Sequence, residues 1–205
     1  MGVNAQVIRL LEQAIGLLRS TEQVEELREE TTVSAAQRRP IAWGAKVSPT
    51  FKERVWWIAD TLETNPDWLM SAMAFETGRT FSASVKNAAG SGATGLIQFM
   101  RPTAIGLGTT TTKLAQMTAE DQLNYVYKYL KAYAGMLNSL EDVYMAILYP
   151  KAVGKSLDYV LFSSGLAYSQ NKGLDTDKNG NVTKREASVK LNAILKEGLL
   201  SKNIG

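Results

Sequence analysis

The feature that most limits what this chain can fold into is a helix-start signal that recurs along it. Ser48-Pro49 and Asn65-Pro66 each place a capping side chain directly before a proline. Proline is at home in the first helical turn, where its missing N–H is not needed. Thr118-x-x-Asp121 and Ser139-x-x-Asp142 predict two further starts, and Thr183-x-x-Glu186 a last one with capping-box character. Apolar residues follow at helical spacing. Val55, Ile58, Ala59 and Leu62 follow the first start. Trp68, Leu69, Ala72, Met73 and Phe75 follow the second, in a helix that should end near Glu76-Thr77-Gly78. A strong helix is predicted over 119–135, and the last one carries Val189, Leu191, Ile194, Leu195 and Leu199. Between these, residues 78–93 read as loop, 94–100 as a short helix, Pro102 as the start of another, and 106–112 as loop. No long period-2 run interrupts this pattern, so the fold class is mainly α with at most a small β element.

With 205 residues and 22.5 kDa, the chain fits one domain of ordinary size with a short appendage. The appendage is predicted at the N-terminus. Residues 4–30 read as an amphipathic helix capped by Asn4, with a second start at Ser20-x-x-Gln23. Its apolar residues are interrupted by Arg9, Glu12, Gln13 and Arg19, which is not the pattern of a signal peptide. Residues 31–48 have linker composition, and the boundary of the body is placed near Ala45. This divides the chain into a helix and linker, 1–44, and a body, 45–205. No stretch approaches transmembrane length. Residues 1–40 carry five Arg against six Glu, net −1, so the net +3 of the whole leaves +4 on the rest. A weakly basic body suits an acidic polymer such as a cell wall. Simple solubility explains it equally, and the density is not that of a nucleic-acid binder.

The inventory of side chains narrows the chemistry. There is no Cys and no His. Thiol nucleophiles, Ser–His–Asp triads and Cys- or His-ligated zinc are excluded, leaving carboxylates, Lys, Tyr and hydroxyls. Glu76 stands out among the carboxylates. It follows the apolar run Met70-Ser71-Ala72-Met73-Ala74-Phe75 at a predicted helix C-terminus. There the negative end of the helix dipole and apolar neighbours both favour the protonated form, which a general acid needs. Taken alone, an exposed Glu at a frayed helix end explains it as well. The second feature is Gly92-Ala93-Thr94-Gly95-Leu96-Ile97-Gln98-Phe99-Met100. Its glycines allow close backbone approach to a ligand, and Gln98 offers an acceptor and two donors suited to sugar groups. A glycine loop leading into a core helix is the alternative.

Together these segments resemble the soluble lytic transglycosylase domain, related to goose-type lysozymes, over about residues 48–170. The resemblance rests on Glu76-Thr77-Gly78-x-x-Phe81 followed by Gly92-x-x-Gly95-Leu96-Ile97-Gln98-Phe99-Met100, with Gln122-Leu123-Asn124-Tyr125 also similar. The wording of 87–95 is most like bacteriophage-encoded members. A third family motif, Ala-Tyr-Asn, corresponds to Leu148-Tyr149-Pro150, where Tyr149 matches and Leu148 and Pro150 depart. The resemblance implies a lysozyme-like helical domain that cleaves the β-1,4 bond between N-acetylmuramic acid and N-acetylglucosamine to a 1,6-anhydro product. It implies Glu76 as the catalytic group and Thr77, Gly95, Leu96, Gln98, Phe99, Tyr125 and Tyr149 as substrate-binding residues. No catalytic cofactor or metal is needed. A muramidase using water would normally want a second carboxylate, and 77–95 contains no Asp or Glu. Muramidase remains the alternative within the enzymes, and a non-catalytic wall-binding virion protein the alternative outside them.

A separate signal lies at 175–186, Asp-Thr-Asp-Lys-Asn-Gly-Asn-Val-Thr-Lys-Arg-Glu. It matches an EF-hand loop, with Asp175, Asp177, Asn179, Asn181 (through its carbonyl) and Glu186 as ligands, Val182 at the hydrophobic position and Gly180 at the turn. A structural Ca2+ in a lone EF-hand-like loop is expected, with Lys178 and Lys184 nearby lowering affinity. A capped turn explains part of the pattern. Ser169–Leu174 reads as a poor preceding helix. Trp56, Trp57 and Trp68 are expected in the core, and Tyr125, Tyr127, Tyr129, Tyr133 and Tyr144 divided between core and surface. The expected partner is peptidoglycan, with no nucleic acid. The N-terminal helix would serve as a wall anchor, a virion-docking segment or a self-association helix. Without a signal peptide, the protein would be made in the host cytoplasm and reach the wall after release or within a virion.

Overall fold

The structure, a computed structural model, describes residues 38–87 and 90–205. The helix predicted over 4–30 and most of the predicted linker lie outside the described residues. The chain divides between Arg39 and Pro40, and Pro40–Gly205 forms one unit. The boundary drawn near Ala45 therefore falls late. Ile41, Ala42 and Trp43, assigned to the linker, are core residues no more than 1% exposed. Backbone bonding holds them there. Ile41 N–H donates to Gly205 O at 2.9 Å, and Trp43 N–H to Gly198 O at 3.0 Å. Ala42 N–H donates to Asp67 Oδ1 at 2.7 Å, and the Trp43 indole N–H to Ile194 O at 3.1 Å. Gly198 is required by this contact, because a Cβ there would collide with the indole.

The described residues form eight α-helices: α1 (Pro49–Leu62), α2 (Pro66–Glu76), α3 (Arg101–Gly106), α4 (Thr111–Ala115), α5 (Ala119–Leu130), α6 (Leu140–Leu148), α7 (Gly165–Asn171) and α8 (Lys184–Gly198). The only sheet among them pairs β1 (Val160–Phe162) antiparallel with β2 (Val182–Thr183), Val160 opposite Thr183 and Phe162 opposite Val182. The mainly α class holds. All five caps predicted within the described residues form. Ser48 accepts from Phe51 N–H at 3.1 Å, Asn65 from Asp67 N–H at 2.9 Å, Thr118 from Asp121 N–H at 3.1 Å, Ser139 from Asp142 N–H at 3.0 Å and Thr183 from Glu186 N–H at 3.3 Å. Each satisfies an N–H that the helix cannot, worth about 1 kcal/mol.

Helix α2 is the centre of the unit. Eight of its eleven residues are buried, and it packs against α1, α6 and α8. It is apolar around most of its circumference, as a helix enclosed on several sides must be. Three expectations are corrected. Residues 94–100 are not helical: Gly95 (φ +82°) and Gln98 (φ +51°) are left-handed, and Thr94 and Phe99 exchange backbone hydrogen bonds at 3.1 and 2.8 Å. Helix α5 stops at Leu130, followed by a 3-10 turn at Lys131–Tyr133. The segment before the acidic loop does contain a helix, α7, and a 3-10 turn at Lys172–Leu174. No helix among the described residues is long and apolar enough to cross a membrane.

Candidate functional site

Glu76 is the last residue of α2, so the most buried helix delivers its C-terminal carboxyl to the edge of the core. Burial lifts that carboxyl from 4.5 to about 7. Thr77 fixes the turn that follows. Its hydroxyl donates to Met73 O at 2.6 Å and accepts from Phe81 N–H at 3.0 Å. Gly78, Arg79 and Phe81 are all left-handed, reversing the chain sharply beyond the carboxyl.

The second wall comes from α6. Tyr144 is 4% exposed, and its ring meets Phe75 edge-on with centroids 5.4 Å apart. Its phenol is pushed above its ordinary value, by burial first and then by the charge of Glu76, which marks the two as electrostatic neighbours. One helical turn after Tyr144 is Ile147, on the same face of α6. Ile147 lines a cavity of about 40 Å³ with Ile97, Gln98, Phe99, Met100, Thr103 and Tyr129. Tyr129 ties that cavity to α6, since its hydroxyl donates to Ala146 O at 2.8 Å. Burial, and then Tyr133, push its phenol up to about 12.

Gln98 brings an amide to this cavity. Its amide nitrogen donates to Gly95 O at 3.1 Å and Val85 O at 3.3 Å. Its amide oxygen is buried without a partner, and its backbone is left-handed. An unpaired acceptor and a strained residue at one place are both costly, and such costs gather at functional sites. The arrangement can accept an N–H from a ligand that reaches it and can hold a proton on Glu76 near neutral pH.

The structure separates the residues expected to bind substrate. Gln98 and Phe99 share the cavity. Thr77 and Leu96 are buried, 2% and 0% exposed. Leu96 N–H donates to Gln122 Oε1 at 2.6 Å, while Gln122 Nε2 donates to Ala83 O at 3.1 Å and Leu114 O at 2.8 Å. Gly95 is required beside this clip, because a Cβ would strike the Gln122 amide. Tyr125, under Lys128 Nζ at 4.9 Å, and Tyr149, against Phe162 at 5.4 Å, are half-buried and do not line the cavity. The sequence reading missed Tyr144, Ile147 and Tyr129 as site residues. Their helical spacings, 144 to 147 and 125 to 129, were visible, but nothing in them said which face met Glu76.

At 175–186 the carboxylates of Asp175, Asp177 and Glu186 each bring an oxygen within 4.8 Å of the others, and no other such group exists among the described residues. Left-handed residues at Lys178 (φ +60°) and Gly180 (φ +87°) bend the loop to make this possible. Asp175 accepts from Tyr168 OH at 2.7 Å and Gly180 N–H at 3.0 Å. These bonds, Tyr168 foremost, hold its carboxyl below its ordinary value. Burial pushes Glu186 up, but bonds from Thr183 and Thr176 outweigh it and hold that carboxyl low. The capping box and the converging carboxylates coexist. The Asn179 amide accepts from Asn181 N–H at 2.8 Å and donates to Asp177 at 2.9 Å.

Lys184 does not face these acids, contrary to expectation. It is 2% exposed, and its ammonium donates to Asp142 Oδ1 at 2.6 Å, Lys155 O at 2.9 Å and Ala152 O at 3.2 Å. Asp142 lies in the first turn of α6, the helix that carries Tyr144. No family model, no curated protein and no solved structure matches this chain.

Proposed function

We propose that the protein is a lytic transglycosylase of peptidoglycan in which Glu76 is the acid–base group. The observation that carries this reading is the Glu76 carboxyl, brought to about 7 by burial at the end of an apolar helix. Protonated, it donates to the bridging oxygen as the bond from muramoyl C1 breaks. The resulting carboxylate then takes the proton of the muramoyl C6 hydroxyl, whose oxygen closes on C1. The products are a 1,6-anhydromuramoyl end and a free 4-hydroxyl, with Glu76 returned to its acid form and no water consumed. One carboxyl near pH 7 suffices for both steps. Tyr144 and Phe75 keep water from Glu76, and Gln98 supports the reading as an acceptor for an acetamido N–H. The lysozyme-like fold and the action on bacterial walls, in a phage-encoded setting, belong to the same proposal.

The acidic loop is proposed as a structural Ca2+ site. Its donor set fits a hard cation: all carboxylate oxygens, with backbone carbonyls at hand. Asp175, Asp177 and Glu186 would hold the ion, which would supply charge neutralisation within the loop and no chemistry at Glu76.

Replacing Glu76 with Gln removes the proton donor at nearly constant shape. Lysis of purified walls should fall by about 10²–10⁴-fold with the circular dichroism spectrum unchanged, and the parent's products should carry anhydro ends, lighter by one water than reducing ends. Near-normal lysis by the folded variant refutes the assignment, and reducing ends alone move it to muramidase.

A further inference from the structure

The core accounts for nearly every aromatic ring of the described residues, with one exception. Trp57 is 48% exposed. It stands on the outer edge of α1, on one face with Arg54 and Thr61, while Val55, Ile58, Ala59 and Leu62 supply the buried face of the helix. Tyr127 of α5 meets the indole at 4.8 Å with the planes inclined by 63°, so the rings are not stacked and the indole keeps surface in water. One turn earlier on both helices, the Arg54 guanidinium donates to the Asn124 amide oxygen. The seam between α1 and α5 thus carries two rungs, an aromatic pair and a guanidinium–amide pair. It is separate from the Gln98 cavity, none of whose lining residues it shares. Tyr129 turns to that cavity, and Tyr127, two residues earlier, lies on the other side of α5.

A pyranose matches this surface. Its ring presents a flat face of C–H groups that can lie on an indole, and its rim of hydroxyl and acetamido groups needs polar partners beside that face. Trp57 offers the apolar platform, preset by Tyr127, and Asn124 and Arg54 offer the polar rim. The patch is too small for a protein partner, since a stable interface needs about 800 Å² from each side, and a single indole with a charged and amide border provides only a fraction of that. We propose that the α1–α5 seam is a second glycan-binding surface, which seats an N-acetylated sugar of the wall polymer on Trp57 and holds the enzyme on its substrate. The proposal rests on the peptidoglycan reading above for the identity of the polymer, but not on Glu76 for its chemistry. Two sites on one strand raise overall attachment without any change at Glu76.

The test uses the full chain carrying Glu76→Gln, so that walls are bound and not consumed, and measures co-sedimentation with purified insoluble peptidoglycan. Adding Trp57→Ala should raise the half-saturating wall concentration about tenfold, equivalent to about 1.4 kcal/mol. Trp57→Phe, which keeps a ring, should recover most of the loss, and Asn124→Ala should lose less than Trp57→Ala. With Glu76 intact, Trp57→Ala should leave cleavage of short soluble glycan fragments unchanged while slowing lysis of whole walls. Unchanged wall binding by the folded Trp57→Ala variant overturns the proposal. So does a parent that does not bind walls, or a Trp57→Ala variant whose main change in sedimentation velocity is loss of self-association. Persistent lysis by Glu76→Gln would refute the catalytic assignment alone, because the binding comparison does not depend on it.

Discussion

Glu76 and Glu186 both sit at helix ends, partly removed from water, and their carboxyls are driven in opposite directions. Glu76 closes α2, where the outward-facing backbone groups are carbonyls. Burial alone acts on it, and its proton is held to about pH 7. Glu186 lies in the first turn of α8, where the free backbone groups are N–H donors. Thr176 and Thr183 each give it a backbone and a hydroxyl hydrogen bond, four in all, and these outweigh burial. Burial is common to both. The supply of donors decides which becomes a proton reservoir and which a fixed negative charge, suited to a cation. Lys184 links the two regions, lying within the acidic loop in sequence and bonded to the first turn of the helix that walls Glu76.

The largest effect on stability should come from breaking that link. Lys184→Met leaves Asp142 charged and buried without its cation, which should cost about 3–5 kcal/mol. Adding Asp142→Leu should restore much of it, as read by urea unfolding. A single variant as stable as the parent would show the two regions to be independent.

Next is Glu76→Gln, now measured as stability. The folded pKa lies above the unfolded value of 4.5, so the native state binds the extra proton between pH 4.5 and about 7 and loses stability as pH rises through that window. The variant, which cannot ionise, should therefore be more stable than the parent by up to about 3 kcal/mol above pH 7 and equal to it below pH 4. Equal stability at pH 8 would mean that Glu76 is ionised at no cost. The same ionisation should give wall cleavage a falling limb near pH 7.

Calcium should act on the other region only. At about 100 times its dissociation constant it should stabilise the fold by roughly 2.7 kcal/mol, an effect removed by chelation or by Asp177→Asn. Identical melting with millimolar calcium and with chelator would reduce 175–186 to a capped turn. The smallest effect is Glu186→Gln without calcium, about 1 kcal/mol for a weakened cap. The parent's Glu186 pKa is depressed, so this contribution is present above about pH 4.5 and lost as pH falls through the folded value. A difference between parent and variant that persists at pH 2 would mean the charge is not its source.

Local signals were legible and long-range ones were not. Every cap predicted within the described residues formed, because an N-cap bond closes within three residues and needs no partner elsewhere. Glu76 was legible as a group at the end of an apolar helix, and 175–186 as an oxygen-rich loop, for the same reason. Trp43 was hidden in linker composition because its partners, Ile194 and Gly198, lie over 150 residues away. Residues 94–100 look helical in spacing, but Val85, Gln122 and the Thr94–Phe99 bridge hold them in a turn. Trp57 was expected in the core because tryptophan usually is, and only the packing of α1 against α5 leaves its ring in water.

The sequence by itself determined the helical class, the starts of the capped helices, the exclusion of thiol and imidazole chemistry, and which carboxylates were available. Those properties depend on side-chain type and on neighbours a few residues away. Tertiary structure alone decided which of those carboxylates keeps its proton, that Tyr144 stands beside it, and that Lys184 turns from the acidic loop to Asp142. Each of these depends on how much water and how many donors reach an atom, and that is set by segments far apart in the chain.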